Sequence, residues 1–508
     1  MVEECVEQLV GDPAKGGHFF TIWGYRQAGK TWLQRRAIAE IRARHGDRFV
    51  VGSMSMEALL KGKDGEEVFF QSVPRMFGDA FPLDAPVVAP VISSWDGWRA
   101  LFHKQGGLFD RPLILLIDEF DSLPPAVIDS VVGEFRRIYL NREQHWLHGL
   151  ALIGVRAVLG LDSERGSPFN VQRSLHVQNL TRGEVGEMFD QYQAESGQVV
   201  ETSVVDTLYT ATRGRPGLVG WFGELLTEKY NRGQKQPITL RDWENVYGAA
   251  CQIEPNNTVL NLIKKARGPY RDQVMGLFGN ADVPFAFDQD WCNFLYLHGI
   301  IDYEDTTTIG GAPLRVCRFS CPFVQLRLHN AFSADLSPRF PARPLEFLDT
   351  LADVFTEQGI ALPALLMRYK AYLGRLKAKG QDPFTGERPR SDLGLREAVG
   401  HFHLYAWLRE AVGWRCAVSP EFPTGNGKVD LFLKWEEHRG VIEVKSFRDA
   451  AELPASARQA ARYARSQGLS SATIALFGSS DDEAVLSALS REETVDGVRV
   501  VTVAIGWT

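Results

Sequence analysis

Residues 24–31 have the types and spacing that bind a phosphate group. They read Gly-Tyr-Arg-Gln-Ala-Gly-Lys-Thr and fit the pattern G-x-x-x-x-G-K-[ST], between an apolar run and a helical stretch. Glycines let the backbone wrap closely around an anion, and the following helix N-terminus supplies positive potential. We predict a nucleotide site in which Lys30 contacts the β and γ phosphates and Thr31 binds Mg²⁺. The alternative, a glycine turn with an exposed lysine, leaves the agreement of all four fixed positions unexplained. The predicted nucleotide contacts of this loop are Gly24, Gln27, Ala28, Gly29, Lys30 and Thr31.

A second segment ends in the carboxylates that nucleotide hydrolysis needs. Five consecutive apolar residues, 113–117, precede Asp118 and Glu119, as in a strand covered on both faces of a parallel sheet. We assign Asp118 to the Mg²⁺ shell through water and Glu119 to orienting or activating the attacking water. A surface strand ending in an acidic turn is the alternative, and the uninterrupted apolar run disfavours it.

Two arginine segments extend this site. Residues 148–156 predict another core strand, with Arg156 at the carboxyl end, where open parallel sheets bind ligands. Residues 212–219 predict a helix start with Pro216 in its first turn. Arg156 is a candidate sensor of the γ-phosphate, and Arg213 or Arg215 is a candidate to complete the site from the same or a neighbouring subunit. An arginine that caps a strand or lies on a solvated helix start would fit the sequence equally well.

From Phe20 to about Phe332 the chain resembles the AAA-like ATPases of bacteria, relatives of the signal-transducing ATPases with numerous domains. The matching pieces are residues 27–31, 117–121, 167–171 and 214–216. The resemblance implies ATP and Mg²⁺ as cofactors, a helical lid, and ATP-dependent homo-oligomers. Because few residues precede the loop, the base-recognition element is short and adenine specificity is inferred by resemblance.

The segment after the lid predicts a winged-helix arrangement. Residues 274–278 and 291–299 read as helices, and residues 300–303 and 314–319 as a hairpin around Gly310-Gly311. Winged helices either bind DNA or pack against a nucleotide domain. The second use is favoured, because the recognition segment 285–296 carries two aspartates and no Lys or Arg.

The C-terminal region contains a second set of residues with metal chemistry. Residues 425–435 read as a turn followed by an alternating strand that carries Asp430, and residues 440–447 read as the next strand. Glu443 and Lys445 are two residues apart, hence on one face and about 7 Å apart along the strand. Two carboxylates on paired strands plus a lysine suit Mg²⁺ or Mn²⁺ beside an amine that steadies developing charge. A Glu-x-Lys pattern on its own is expected to occur by chance in a chain of this length. The upstream aspartate on a paired strand is the feature that favours a metal site.

Residues 391–508 resemble the PD-(D/E)XK nuclease superfamily, which has a restriction-endonuclease-like fold. The resemblance implies metal ligation by Asp430 and Glu443, a catalytic Lys445 and an acidic helix residue, Glu397. It also matches Gln459 and Tyr463 to the Gln-x-x-x-Tyr of the following helix, and Glu421 is a weaker extra candidate. The alternative is a structural domain that keeps these charges as a buried ion network.

Two basic stripes flank this site in the sequence and are candidate phosphate contacts. The first is Arg368, Lys370, Arg375, Lys377 and Lys379, and the second is Arg458, Arg462 and Arg465. Either stripe could track DNA in a salt-dependent manner. Solvated helix surface is an equally good interpretation of each.

Composition bounds the remaining possibilities. The chain has 508 residues, 44% hydrophobic and 23% charged, with a formal net charge of −7. These values predict a multidomain globular protein and argue against a wholly basic DNA-coating protein. No apolar run approaches membrane-spanning length, the N-terminus lacks the charge pattern of a signal peptide, and the scattered cysteines suit a reducing cytoplasm. His401 and His403 diverge on an expected helix, so a metal role for them is disfavoured.

The predicted fold class is multidomain α/β, and proline-containing linkers mark the predicted domain boundaries. The predicted domains are a P-loop ATPase core at 1–180, a helical lid at 181–250, a winged-helix domain at 251–336, a helical bridge with linkers at 337–390, and a nuclease-like domain at 391–508.

The leading hypothesis is an ATP-dependent or ATP-gated metal nuclease that cleaves DNA, with RNA also possible and an accessory protein conceivable. Antiviral defence is the context implied by resemblance. A second hypothesis is an ATP-driven oligomerising switch whose nuclease-like domain binds nucleic acid or a partner without cutting. A third is an ATP-driven DNA translocase.

Overall fold

The chain divides into two compact units in the computed structural model. Unit 1 comprises residues 1–198 and 214–235, and unit 2 comprises residues 199–213 and 236–508. The structure describes residues 1–56, 65–81, 87–154, 173–233, 236–280, 283–307, 313–336, 343–381, 393–421, 430–447 and 449–506. Of residues 336, 393–397, 421 and 430, only the backbone is described.

Unit 1 is built on a five-stranded sheet whose described strands all run parallel. The strands are β1 (Phe19–Trp23), β2 (Val50–Ser55), β3 (Leu113–Asp118), β4 (Leu147–Gly154) and β5 (Ser174–His176), in the order β2-β3-β4-β1-β5. The prediction of a parallel α/β sheet in this part of the chain is confirmed. Strands β1 and β3 both run parallel to β4, which lies between them, so their carboxyl ends lie at the same edge of the sheet. The phosphate loop follows β1, and Asp118 ends β3.

Helices cover both faces of this sheet. They are α1 (Val2–Val10), α2 (Lys30–His45), α3 (Glu66–Ala80), α4 (Trp95–Ala100) and α5 (Pro125–Leu140). Unit 1 also contains α6 (Arg182–Ser196) and α8 (Pro216–Glu224). Alternate residues of β3 enter two separate cores, which explains its continuous apolar sequence. Leu113, Leu115 and Ile117 pack with aromatic residues of α3 and α4, while Ile114 and Leu116 pack with α1 and α2.

Unit 2 begins with helices and a hairpin. Its first elements are α7 (Thr202–Thr212), α9 (Leu240–Gln252), α10 (Asn257–Ala266), α11 (Arg271–Gly279), α12 (Asp290–Leu297), β6 (Ile301–Thr307), β7 (Pro313–Phe319) and α13 (Pro322–Leu336). Strands β6 and β7 are antiparallel, with Ile301 opposite Phe319. The helices and strands expected here are present, but the Gly310-Gly311 turn lies outside the described residues.

The rest of unit 2 contains a six-stranded mixed sheet. Its strands are β10 (Ala417–Glu421), β11 (Asp430–Trp435), β12 (His438–Ser446), β13 (Ser471–Gly478), β14 (Arg491–Val495) and β15 (Val498–Gly506), in the order β10-β11-β12-β13-β15-β14. The remaining elements are β8 (Phe355–Thr356), β9 (Gly359–Ile360), α14 (Leu362–Ala378), α15 (Leu393–Val412), α16 (Leu453–Ser466) and α17 (Glu483–Leu489).

Helix α16 connects the parallel strands β12 and β13 and buries a row of alanines against the sheet. Helices α14 and α15 contact the sheet as well. For example, Leu362 leaves no space for a side chain at Gly440 of β12. Helix α14 therefore lies within the segment expected to form a helical bridge and packs on this sheet.

Candidate functional site

The phosphate loop joins β1 to α2 in a conformation that its residue types permit. Gly29 has a φ of 95°, which glycine adopts without strain. Gln27 has a φ of 62°, which is uncommon for a residue with a side chain. The Ala28 side chain is buried beneath the loop. Helix α2 then begins at Lys30 without a side-chain cap, so the N–H groups of its first turn remain available to an anion.

Lys30 is held inside its own loop. Its Nζ donates to the carbonyl oxygens of Gly24 at 2.8 Å and Tyr25 at 2.9 Å. Burial lowers the pKa of Lys30, while the nearby carboxylates of Glu119, Asp121 and Asp118 oppose that shift. The ammonium group therefore lies between the loop and the acidic strand end, where phosphate oxygens could replace the two carbonyl acceptors.

Thr31 and Asp118 meet across the edge of the sheet. Thr31 Oγ1 donates to Asp118 Oδ2 at 3.1 Å, and Asp118 Oδ1 accepts from the backbone N–H of Glu119 at 2.9 Å. Glu119 has a φ of 54°, a value uncommon for a residue with a side chain. A hydroxyl and a carboxylate are hard oxygen donors, so this pair fits Mg²⁺.

A cavity of about 430 Å³ opens beside this pair. Thr31, Asp118 and Glu119 line it, together with Gln34 and Ser53, whose side chains are joined by a 2.6 Å hydrogen bond. The cavity is large enough for phosphate oxygens and ordered water. Sequence reasoning missed Gln34 and Ser53 because neither belongs to the loop motif.

Asp121 is another residue that the motifs did not single out. A side chain at Gly154, the last residue of β4, would come within 2.7 Å of Asp121 Oδ1. The carboxylate therefore occupies the space that the glycine leaves at the end of that strand. Its only sequence signal was its place in the acidic run after β3.

The two predicted arginine segments have different outcomes. Arg156 lies outside the described residues, so its predicted sensor role is untested. Arg215 directly precedes α8 and is 2% exposed, with its guanidinium carbon 4.0 Å from the centre of the Tyr25 ring. Pro216 is the first residue of α8 and lies beside Gly29. Arg213 ends α7 in unit 2.

The second predicted site lies on the sheet of unit 2. Strands β11 and β12 are antiparallel, and their register puts position 430 directly opposite position 443. Directly opposed residues share a face of the sheet, with Cβ atoms about 4.5–5.5 Å apart. The register thus brings together two positions that are separated in the sequence by a turn and most of two strands.

Glu443 and Lys445 form a buried ion pair on that face. Glu443 is 2% exposed and Lys445 8%, and Lys445 Nζ lies 2.9 Å from Glu443 Oε1. That approach is not aligned as a hydrogen bond, and neither carboxylate oxygen of Glu443 has a hydrogen-bond donor among the described residues. A buried carboxylate without donors is costly unless a further cation compensates it, which fits a divalent metal ion.

Helix α16 covers the same face of this sheet. Val441 lies on the same face of β12 as Glu443 and Lys445, because every second residue of a strand points to the same side. It packs in one core with Ala457 and Ala461 of α16. Gln459 and Tyr463 lie one turn apart on the helix, and Tyr463 is partly buried against that core. The structure therefore brings Glu443, Lys445 and Tyr463 to one face.

The other predicted nuclease residues cannot be placed as side chains. Glu397 belongs to α15, Glu421 ends β10 and Asp430 begins β11, and all three side chains lie outside the described part of the chain. Among the described residues no group of three or more His, Cys, Asp and Glu side chains could hold a metal ion. The proposed ligand set therefore remains a prediction at positions 397 and 430.

The first basic stripe is neutralised within the protein. Four of its residues on α14 form ion pairs with carboxylates that are distant in the sequence. The pairs are Arg368 with Asp349 (2.7 Å) and Asp353 (2.6 Å), Lys370 with Glu483 (3.0 Å), Arg375 with Glu346 (2.5 Å), and Lys377 with Asp481 (2.5 Å). These ion pairs make α14 a poor surface for phosphates.

The second basic stripe lies on the outer flank of α16. At 3.6 residues per turn, Arg458, Arg462 and Arg465 are centred about 110° around the helix from Gln459 and Tyr463. Arg465 pairs at 3.0 Å with Asp496, in the turn between β14 and β15. Arg465 therefore reaches the turn between β14 and β15.

Histidines 401 and 403 are buried within unit 2. His401 Nδ1 lies 3.3 Å from His329 Nε2 on α13, and His403 Nδ1 lies 2.6 Å from the Tyr369 hydroxyl on α14. Burial lowers the pKa of each of these two histidines to about 3. They diverge to different helices, as the sequence analysis expected, and serve packing.

Comparison with known proteins gave distant structural similarities. A Walker-type ATPase of Pyrococcus abyssi matches over 64% of this chain and 94% of its own, with 16% identity and a TM-score of 0.44. The Orc1 protein of Aeropyrum pernix, solved in complex with DNA, matches over 66% and 91%, with 16% identity and a TM-score of 0.34. The RuvB Holliday junction branch migration motor of Thermotoga maritima matches over 62% and 90%, with 14% identity and a TM-score of 0.33.

No protein-family model and no curated protein matches the sequence. In the described part of the chain, every helix is too short or too polar to cross a membrane.

Proposed function

We propose that unit 1 binds Mg²⁺-ATP and hydrolyses it. The observation that carries this proposal is the Thr31 Oγ1–Asp118 Oδ2 contact of 3.1 Å beside the half-buried Lys30. It unites, at one sheet edge, the three side chains that triphosphate and magnesium chemistry requires. Nothing else in the described unit combines a phosphate-sized loop, a half-buried lysine and a hard-oxygen pair.

Each side chain has a distinct role in this proposal. Lys30 exchanges its two loop carbonyls for β- and γ-phosphate oxygens, and Thr31 and Asp118 hold the metal ion. Glu119 faces the adjoining cavity and orients the attacking water. The metal ion, when bound, neutralises charge that develops on the phosphates.

Phosphate release from ATP tests this function. The wild-type protein should release inorganic phosphate in Mg²⁺, and Asp118→Asn should lower the rate by about 100-fold or more, because a metal-binding carboxylate is lost. A matched control is Asp110→Asn, an exposed aspartate near the start of the same strand. Equal hydrolysis by all three proteins, or none by the wild type, would remove the ATPase proposal.

For unit 2 we propose a metal-dependent nuclease that cuts phosphodiester bonds, controlled by the ATPase. The supporting observation is the buried Glu443–Lys445 pair on the sheet face shared with position 430. A carboxylate lacking donors can bind Mg²⁺ or Mn²⁺, and Lys445 can stabilise a metal-activated water or the charge of the transition state. Asp430 and Glu397 complete the proposed ligand set.

A metal titration tests whether Glu443 belongs to a metal site, which a nuclease needs and a domain that only binds nucleic acid does not. Calorimetric titration of the full chain with Mn²⁺, with excess Mg²⁺-ATP to saturate unit 1, should show one site that Glu443→Gln weakens by about 10- to 100-fold. Glu492→Gln, which changes an exposed carboxylate of the same sheet, should leave that site intact. If Glu443→Gln titrates like the wild type, the nuclease proposal fails.

The second candidate is an ATP-driven oligomerising switch whose nuclease-like domain binds nucleic acid or a partner without cutting. The neutralised α14 stripe gives it some support, since cutting requires the substrate backbone to be held near Glu443. DNA as the substrate, homo-oligomers, an accessory protein and a role in defence belong to the proposal and derive from the family resemblance.

A further inference from the structure

The start of α8 is held against the phosphate loop at several points. The backbone N–H of Gly217 donates to the Gln27 carbonyl at 3.2 Å. A side chain at Gly217 would come within 2.6 Å of Gln27 Oε1 and 2.7 Å of its Cβ, so only glycine allows this approach. The Pro216 ring lies 3.9 Å from the place a side chain at Gly29 would take. The loop and the first turn of α8 therefore form one packed assembly.

Tyr25 is the centre of that assembly. Its ring lies under the Arg215 guanidinium, its hydroxyl donates to Asn179 Oδ1, and its carbonyl accepts from Lys30 at 2.9 Å. Tyr25 thus contacts two cations of the proposed ATP site, Arg215 through its ring and Lys30 through its carbonyl oxygen. No sequence motif indicated this, because the second position of the loop pattern accepts any residue.

The geometry suits a device that positions Arg215. A guanidinium is planar and stacks on an aromatic face, and the attraction is strongest where water is excluded. Arg215 is almost fully buried, and Asn179 fixes the tilt of the Tyr25 ring that carries it. A cation ordered in this way before a ligand arrives loses little entropy when it binds phosphate.

We propose that Tyr25 is a positioning residue, which holds the Arg215 guanidinium at the loop so that Arg215 contacts the phosphates of bound ATP. Phosphate binding at Lys30 and at the start of α8 is thereby coupled through one side chain. This inference rests on the proposed ATP binding of unit 1. If Tyr25 served packing alone, its effect on ATP affinity would not depend on the charge of Arg215.

A double-mutant cycle on the full chain makes that distinction. The four proteins are wild type, Tyr25→Leu, Arg215→Met and the double variant, and the measured quantity is the Kd for β,γ-imido-ATP in Mg²⁺. Tyr25→Leu should weaken binding by about 3- to 30-fold in the wild-type background. In the Arg215→Met background the same change should weaken binding by less than about 2-fold, because the cation that Tyr25 positions is gone.

Two more conservative variants control for the case in which Tyr25→Leu misfolds the loop. Tyr25→Phe keeps the ring and loses only the contact with Asn179, and Asn179→Ala removes the same contact from the other side. Both should bind the analogue more tightly than Tyr25→Leu, with thermal unfolding midpoints close to wild type. Equal losses from Tyr25→Leu in both backgrounds, or no loss at all, would overturn the inference.

The outcomes also separate this inference from the function on which it rests. If the wild type binds and hydrolyses ATP but the cycle is additive, only the role of Tyr25 is lost. If the wild type does not bind the analogue, the ATPase proposal and this inference are both overturned.

Discussion

The two candidate sites of this protein are assembled in different ways. At the phosphate loop, Lys30 and Thr31 are neighbours in the sequence, and a single strand end brings Asp118 and Glu119 to them. At the second site, Glu443 and position 430 meet only through the register of two strands, and Lys445 neutralises Glu443 from within its own strand. The first site joins two contiguous motifs that are 87 residues apart at Thr31 and Asp118. The second site depends on the register of two adjacent antiparallel strands.

This difference explains what could be read from the sequence. The loop, its strand and the acidic strand end were predictable because each is a contiguous pattern tied to one backbone geometry. The pairing of the strands that carry Asp430 and Glu443 was also predictable, because a turn separates two alternating segments. Whether the four proposed nuclease side chains converge was not, because no local spacing determines it.

Other contacts were not predictable from the sequence. Lys370 and Lys377 of the α14 stripe pair with Glu483 and Asp481, which lie over a hundred residues away. The stacking of Arg215 on Tyr25 also joins residues that are remote in the sequence. Such contacts follow from packing of whole elements, and the residue pattern of one segment carries no signal for them.

The largest expected effect is predicted for the phosphate loop. Lys30→Ala should lower kcat/KM for ATP hydrolysis by at least about 100-fold, because the ammonium group held by the loop carbonyls is removed. The measurement is steady-state phosphate release in Mg²⁺. Lys15→Ala, which removes an exposed lysine of the same unit, should behave as wild type. A Lys30→Ala protein with normal turnover would contradict the assignment of the loop.

The next effect tests the register-dependent site. Glu443→Gln should reduce DNA cleavage by about 100-fold or more, because a neutral amide binds divalent cations poorly. Hydrolysis of ATP should remain, since the change lies in the other unit. Gel analysis of DNA cleavage and phosphate release are measured on the same preparation. Cleavage by Glu443→Gln at the wild-type rate would show that the chemistry lies elsewhere.

A smaller effect probes the contact between loop and helix. Gly217→Ala should destabilise unit 1 by about 1–3 kcal/mol, because the new Cβ would overlap with the Cβ of Gln27 at 2.7 Å. Gly220→Ala on the same helix meets nothing within 4 Å and should stabilise the unit by up to about 1 kcal/mol. Thermal unfolding midpoints measure both changes. Equal midpoints for the two variants would contradict the close approach of α8 to the loop.

The smallest effect concerns the buried histidines of unit 2. Burial lowers the pKa of His401 and His403 to about 3, from the usual 6.5. Below pH 6.5 the unfolded chain therefore binds protons that the folded chain excludes, and stability falls as the pH is lowered towards 3. At pH 5.5 the loss should be about 1.4 kcal/mol for each histidine.

Urea unfolding of unit 2, followed by hydrogen exchange at pH 7.5 and 5.5, measures this loss. His403→Gln should make unfolding less sensitive to pH, whatever its effect on stability at pH 7.5. The same pH dependence in wild type and His403→Gln would show that His403 is protonated in the folded protein.

The central claim is that an ATP site in unit 1 controls a phosphodiester-cutting site formed by strand pairing in unit 2. Its most direct test is the nicking of supercoiled plasmid DNA in Mg²⁺, with and without ATP, by wild type, Lys30→Ala and Lys445→Ala. We predict that wild type nicks the plasmid in a manner that depends on ATP, that Lys30→Ala loses this dependence, and that Lys445→Ala leaves the plasmid intact under both conditions. Intact plasmid with all three proteins, or equal nicking by wild type and Lys445→Ala, would contradict the claim.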